Sequence, residues 1–257
     1  MRTRNSSTRR GSRFDRRWLP AAGLSILALA AIITAHAALT PPATVSGKVS
    51  AISEVKFTDT PLLTPAPAPE PIVAFIGDSY THGTGASDHA HRWTSLVSAA
   101  KGWSEVNLGL GGTGFLTSAG LNGCGKDYCS SYEEQVAANT VPDAVTYVLA
   151  GGQNDYAAWA TNEVGVTAAI NRTYANLRAL HPKAKIIAVG PSVIGSVTRS
   201  ASGMDAAVRT AAASVGAQYI SLISPDVLTA DMATGQGGHV TDVGHQAIST
   251  AVLAALG

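Results

Sequence analysis

A serine can transfer acyl groups only if its hydroxyl is exposed on a turn, with a base in reach and donors placed to hold the charge that develops on the substrate oxygen. Ser79 is a candidate. It follows the apolar run Ile72 to Ile76 in Gly77-Asp78-Ser79-Tyr80, with Gly83 and Gly85 just beyond, so a strand can end there in a tight turn that presents the hydroxyl and its own N–H. Taken alone, an Asp-Ser pair among glycines is equally a turn former. Two more segments supply possible donors. Asn107-Leu108-Gly109-Leu110-Gly111-Gly112-Thr113-Gly114 lacks the side chains that would keep a ligand away from its backbone, and Gly151-Gly152-Gln153-Asn154-Asp155 carries an amide that can offer N–H. A nucleophile, backbone donors and an amide donor are the equipment of acyl transfer, provided the chain brings them together.

The elements that must do so alternate along the chain. Strand-like runs cover Ile72 to Ile76, Glu105 to Leu108, Ala144 to Leu149, Lys185 to Val189 and Gln218 to Ile223. Helical patterns lie between and after them, at about Arg92 to Lys101, Ser131 to Asn139, Asn162 to His181, Met204 to Val215 and Thr241 to Leu256, and Pro182 closes the third of these. Five strands separated by helices predict an α/β fold: a mostly parallel sheet with helices on both faces, in three α/β/α layers. Ligands of such sheets bind beyond the carboxyl ends of the strands, which is where the three candidate segments fall.

In their order and spacing, Gly77 to Tyr80 (GDSY), Asn107 to Gly112 (NLGLGG), Gly151 to Asp155 (GGQND) and the final histidine segment resemble the blocks of the SGNH, or GDSL-type, serine hydrolase superfamily, over essentially all of Ile72 to Gly257. The resemblance implies a flavodoxin-like sheet and a carboxylic ester hydrolase: esterase, lipase or carbohydrate acetylesterase. It implies Ser79 as nucleophile, an oxyanion hole formed by the Ser79 N–H, the Gly112 N–H and the Asn154 side chain, and Asp78 as a loop-shaping residue. It requires no metal or organic cofactor.

The base has two candidates. Asp242-Val243-Gly244-His245 has the family's Asp-x-x-His spacing, whereas the longer stretch His239 to Ile248 resembles the family's usual ending with the catalytic histidine first, making His239 the base. His245, three and seven residues before Ile248 and Val252, then shares an apolar helix face and reads as a packed core histidine. We expect His239 in the catalytic role. In that register the family's acid position falls on Gln236, which has no charge; Asp242, Asp231 or a backbone carbonyl could orient the imidazole instead, and Asp242, in the first turn of the last helix, is the expected partner.

Composition bounds the rest. The formal charge of +1 hides seven arginines within the first seventeen residues, beyond which eleven Lys and Arg face sixteen Asp and Glu, so no basic nucleic-acid footprint remains. This basic start, the apolar run Leu19 to Leu39 and the small residues at Ala35-His36-Ala37 have the layout of an export signal, and the run is also long enough to be an uncleaved membrane anchor. We therefore expect a signal or anchor at 1–38, a Pro/Ala/Thr-rich linker at 39–71, a hydrolase domain at 72–257 and a secreted or extracytoplasmic protein. Cys124 and Cys129 would then pair and stiffen a loop. Asp88-His89-Ala90-His91 lacks a matched distant ligand set and reads as a polar loop, so no metal site is expected. Trp93, Trp103 and Trp159 read as core or rim aromatics, Trp159 also lying close enough to Asn154 to line a pocket. The expected substrate is a small-molecule or polysaccharide acyl ester, with short-chain or acetyl esters on carbohydrate favoured. The alternative is a noncatalytic glycan-binding domain on the same fold, motivated by Gln236.

Overall fold

The computed structural model describes residues 68–138, 141–235 and 238–257. The basic start, the apolar run, most of the linker and Gln236 lie outside the described residues. Among the described residues no helix is long and apolar enough to cross a membrane.

Five strands, β1 (Ile72–Gly77), β2 (Ser104–Asn107), β3 (Thr146–Ala150), β4 (Lys185–Val189) and β5 (Gln218–Ile220), form one sheet in the order β2-β1-β3-β4-β5, every neighbouring pair parallel. The three central strands are near-continuous apolar runs because both of their faces are covered. Alternate residues enter different cores. Ala74, Ile76, Tyr147, Leu149, Ile186 and Ala188 pack with helices α4 (Tyr132–Ala138), α5 (Tyr156–Leu180) and α6 (Arg199–Ser214). Val73, Phe75, Val148, Ala150, Ile187 and Val189 pack with α2 (Trp93–Lys101) and α7 (Asp242–Leu256). Trp93 is the largest piece of the second core, its ring edge-on to Phe75 at 5.6 Å.

The strand ends stand level. Gly77 is opposite Ala150, Ala150 opposite Val189 and Val189 opposite Ile220, so the loops that follow leave the same edge of the sheet. The chain steps from β1 to β2 on one side and returns to β3 on the other, and the reversal of direction opens a crevice beside β1. At the flank of the sheet, Glu105 of β2 is tied by Arg92 Nη2 at 3.1 Å, Ser95 Oγ at 2.6 Å and Asn107 Nδ2 at 3.1 Å.

Three boundaries differ from the sequence reading by three residues or more. Helix α5 starts at Tyr156 rather than Asn162, because a short helical turn precedes a kink at Asn162; the Asn162 side chain accepts from Gly165 N at 3.0 Å and so caps the longer segment, as its residue type suggests. Helix α6 starts at Arg199 instead of Met204, with Thr198 as its cap. Strand β5 stops at Ile220, where Ser221 turns its hydroxyl to Asp205 at 2.8 Å and ends the pairing.

Candidate active site

Ser79 is the first residue of a four-residue helix, α1 (Ser79–His82), set directly on the end of β1. Gly77 makes the junction possible, since a Cβ there would stand 2.2 Å from Thr81 Oγ1 and 2.4 Å from Ala150 O. Asp78 caps the turn by accepting from Tyr80 N at 2.9 Å, and its other oxygen accepts from Tyr132 Oη at 2.7 Å. Burial pushes the Asp78 carboxyl up to about 6 against the pull of these hydrogen bonds. Asp78 is wholly buried beneath Ser79, so it shapes the turn rather than touching substrate. The first N–H groups of a helix have no partner within it, and the Ser79 N–H is bonded to no described residue.

After β2, Asn107 Oδ1 accepts from Gly109 N at 3.0 Å and its amide donates to Thr81 O at 2.6 Å, which ties the glycine loop to α1. Leu110 N donates to Gly77 O at 2.9 Å. The loop then reaches Gly112, whose φ of +76° suits glycine, and the Gly112 N–H is likewise bonded to no described residue. After β3, Asn154 Nδ2 donates to Thr113 O at 2.9 Å; an amide nitrogen has two hydrogens, and the second is bonded to no described residue. Asp155, wholly buried, gathers the far end of the glycine loop by accepting from Phe115 N at 2.6 Å, Leu116 N at 3.2 Å, Thr117 N at 2.9 Å and Thr117 Oγ1 at 2.6 Å. This approach leaves no room for a side chain on Gly114, where a Cβ would be 2.2 Å from the Asp155 carboxylate.

The two histidines have different surroundings. His245 is wholly buried on α7, its Nδ1 facing Trp93 N at 3.4 Å and its Nε2 facing Thr84 O at 3.4 Å. A neutral ring protonated on Nε2 satisfies both contacts, so His245 pins α7 to α2 and to the loop after α1, the packing role its helix face predicts. His239 is half-buried in the loop before α7, its ring centroid 5.9 Å from that of Tyr80, the residue after the nucleophile. Its segment is bound to the nucleophile's own element: Tyr80 Oη donates to Gly238 O at 3.1 Å, and Gly85 packs so closely on Val240 that a Cβ would stand 2.2 Å from its carbonyl oxygen. Burial holds the His239 pKa below the usual imidazole value, which keeps the ring neutral and able to accept a proton.

Asp242, the expected partner of the imidazole, makes no hydrogen bond to His239. The first position of α7 turns its carboxylate to the loop after α1, where Oδ1 accepts from Ser87 N at 2.7 Å, and this bond chiefly holds its pKa low, with a smaller contribution from the charge on His91. Among the described residues no carboxylate is hydrogen-bonded to His239. Asp231 is exposed in a 3-10 turn and held by Thr229, and Gln236 lies outside the described residues. Trp159 is buried against Gly203, not set in a cleft. Among the described residues no cluster of three metal-binding side chains forms, at Asp88 to His91 or elsewhere.

The sequence over residues 75–247 matches the GDSL-like Lipase/Acylhydrolase family. The chain belongs to that family. Its fold is shared with solved structures of low identity. A Lactobacillus plantarum protein is 19% identical with a TM-score of 0.57, the alignment covering 74% of this chain and 97% of that one. A family two carbohydrate esterase from Cellvibrio japonicus is 16% identical with a TM-score of 0.56, covering 75% and 62%. A family two carbohydrate esterase from Clostridium thermocellum, solved with cellohexaose, is 16% identical with a TM-score of 0.53, covering 74% and 65%. No curated protein matches the sequence significantly.

In this GDSL-like hydrolase the structure brings Ser79, Gly112 and Asn154 to neighbouring strand ends and binds the His239 segment to the same turn, while Asp242 faces elsewhere. Sequence reasoning missed the clamp made by Asp155. The signal was present: a carboxylate in a strand-end glycine block, in a chain with only 14% charged residues, needs several donors, and Gly114 marks where they come from. Tyr132, which holds Asp78, gave no such signal.

Proposed function

We propose that Ser79 is the acylated nucleophile of this hydrolase, with His239 as general base, working on short-chain acyl esters of carbohydrate outside the cytoplasm. The observation that carries the reading is the set of unclaimed N–H groups on Ser79, Gly112 and Asn154 at three adjacent strand ends. His239 takes the Ser79 proton as Oγ bonds to the ester carbonyl carbon, and the carbonyl oxygen becomes an oxyanion held by those donors. Collapse breaks the bond to the alcohol, which leaves with the proton from His239. Water, deprotonated by His239, then attacks the acyl-enzyme, and the acid departs as Ser79 regains its proton. Asp242 acts as an anchor for the start of α7 and not as a partner of the imidazole.

A polar alcohol is favoured by the space beside the glycine loop. The void behind the nucleophile turn, lined by Asp78, Tyr80, Gln153, Ser192 and Leu222 among others and not by Ser79 itself, holds about 10 Å³, the room of a single water. A cleft of about 510 Å³ borders Gly109 to Gly111 on its way to Lys126 and His82, with space and polar groups for a sugar. The two carbohydrate esterases among the structural neighbours support the same substrate class. The Cys124–Cys129 bridge supports export, together with the N-terminal layout.

Purified enzyme should release acetate from acetylated xylo-oligosaccharides faster than it cleaves p-nitrophenyl octanoate, and Ser79→Ala should abolish both activities. Faster turnover of the octanoate would refute the substrate assignment. Hydrolysis that survives Ser79→Ala, or glycan binding with no hydrolysis, would refute the catalytic one. His239→Ala should remove turnover, whereas a loss confined to His245→Ala would reverse the roles of the two histidines.

A further inference from the structure

The segment that follows the glycine loop closes on itself. Ala119 and Cys129 exchange N–H···O bonds of 3.0 and 2.8 Å as an isolated antiparallel bridge, and a disulfide joins Cys124 to Cys129. Within the closure lies the single helical turn α3 (Leu121–Cys124), in which Gly123 N and Cys124 N both donate to Gly120 O at 2.9 Å. One helical turn is far below the length at which a helix persists unaided, so the covalent bridge is what keeps it in shape.

The surface this turn presents is backbone, and it meets the backbone of the glycine loop. A Cβ on Gly111 would lie 2.4 Å from Gly123 O, and a Cβ on Gly112 would lie 3.0 Å from Gly123 Cα and 3.2 Å from Ala119 Cβ. The flanks of the glycine loop are held by hydrogen bonds, from Leu110 N to Gly77 O before Gly112 and from Thr113 Oγ1 to Leu110 O after it. The Gly112 N–H itself has no bond to a described residue, and a glycine at positive φ does little to fix its own peptide plane. Besides the Thr113 N to Leu110 O bond of 3.3 Å, which closes a turn around Gly111 and Gly112, contact with the disulfide-closed turn is what bears on that plane.

We infer that Gly123 is a positioning residue for the oxyanion hole: the disulfide-closed turn presses on Gly111 and Gly112 and keeps the Gly112 N–H aimed at the substrate oxygen. The inference rests on the proposed role of Gly112. It gives the disulfide a part in catalysis, since opening the bridge lets the turn relax away from the loop. A donor works on the oxyanion over a span of about 2.7 to 3.1 Å, so a shift of a few tenths of an ångström is felt in the transition state and scarcely in ground-state binding.

Gly123→Ala supplies such a shift, because its Cβ would stand 3.0 Å from Ala119 Cβ, 3.2 Å from Gly111 O and 3.4 Å from Gly112 Cα. The test compares wild type, Gly123→Ala, the double variant Cys124→Ser with Cys129→Ser, and Leu121→Ser, an exposed position in the same turn. A p-nitrophenyl phosphonate titrates the active fraction of each, and kcat per titrated site and KM are measured on p-nitrophenyl acetate. Gly123→Ala and the double serine variant should lose about tenfold in kcat with KM unchanged, less than the loss of a whole donor, while Leu121→Ser stays at wild type. Wild type reduced with a phosphine should show the same loss at unchanged circular dichroism and recover on reoxidation, which keeps the test intact if Gly123→Ala does not fold. Wild-type kcat per site in the double serine variant and in reduced enzyme overturns the inference, as does a loss matched by a proportionate rise in KM. Hydrolysis that is insensitive to Ser79→Ala overturns the underlying assignment as well, whereas Ser79-dependent hydrolysis indifferent to the turn overturns this inference alone.

Discussion

Asp155→Asn tests how firmly the glycine loop is held. Asparagine keeps the shape of the side chain but has a single acceptor oxygen. Placed at the Oδ1 position, that oxygen can still accept from Leu116 N, Thr117 N and Thr117 Oγ1, and the new NH2 group then faces Phe115 N, 2.6 Å away in the native contact. One buried N–H is left without an acceptor, at a cost of about 1 to 3 kcal/mol, and three hydrogen bonds lose the charge that made them stronger than neutral ones. The sum is about 3 to 5 kcal/mol, a large share of the roughly 5 to 15 kcal/mol that holds a domain together. Urea denaturation followed by tryptophan fluorescence gives the loss directly, with kcat per titrated active site measured in parallel. Because Asp155 follows Asn154 and fixes the loop beyond Gly112, kcat should fall with stability. A loss below about 1 kcal/mol, or a folded variant with wild-type kcat, would refute the idea that this carboxylate organises the oxyanion site.

Asn154→Ala removes one proposed donor and should lower kcat on p-nitrophenyl acetate by about a hundredfold with little change in KM. Asp78 has its folded pKa raised to about 6 from an unfolded 3.8, so the native state binds its proton more tightly; its contribution to stability is greatest below pH 3.8 and declines by about 3 kcal/mol as pH rises to 6. Tyr132→Phe deletes a donor to the charged form, and urea midpoints should show a larger penalty at pH 8, where Asp78 is ionised, than at pH 5. For His245 the sign is opposite: burial lowers its folded pKa, the unfolded chain takes up the proton first, and stability should be level above the unfolded value near 6.5 and fall below it. In His245→Leu, thermal midpoints between pH 7 and pH 5 should show a shallower decline than in wild type.

Much of this architecture was legible in the residues, for reasons that differ between elements. β1 and β4 sit where their apolar runs place them, since a strand covered on both faces has no freedom to be polar. The helical pattern that starts at Asn162 in the sequence matches the longer segment of α5, which Asn162 caps, whereas the extra turn before it is fixed by packing. His245 could be assigned to the core from helical spacing alone. Asp242 could not be placed in the same way: its position in the first turn of α7 was clear, but the direction of its carboxylate depends on Ser87, 155 residues away in sequence. The contact of Gly123 with Gly111 and Gly112 was equally invisible, because backbone meeting backbone leaves only glycines as its trace.

The ties around Glu105 have a consequence for how the molecule behaves in a crowd. β2 forms one outer margin of the sheet, and such margins invite extended segments of other chains to continue the hydrogen-bonded ladder. A segment approaching there would have to strip water from a carboxylate already committed to Arg92, Ser95 and Asn107, or pull it out of that company. Either route is unfavourable, so this margin carries its own deterrent to runaway self-association, in a cluster of which Asn107 alone also steadies the glycine loop.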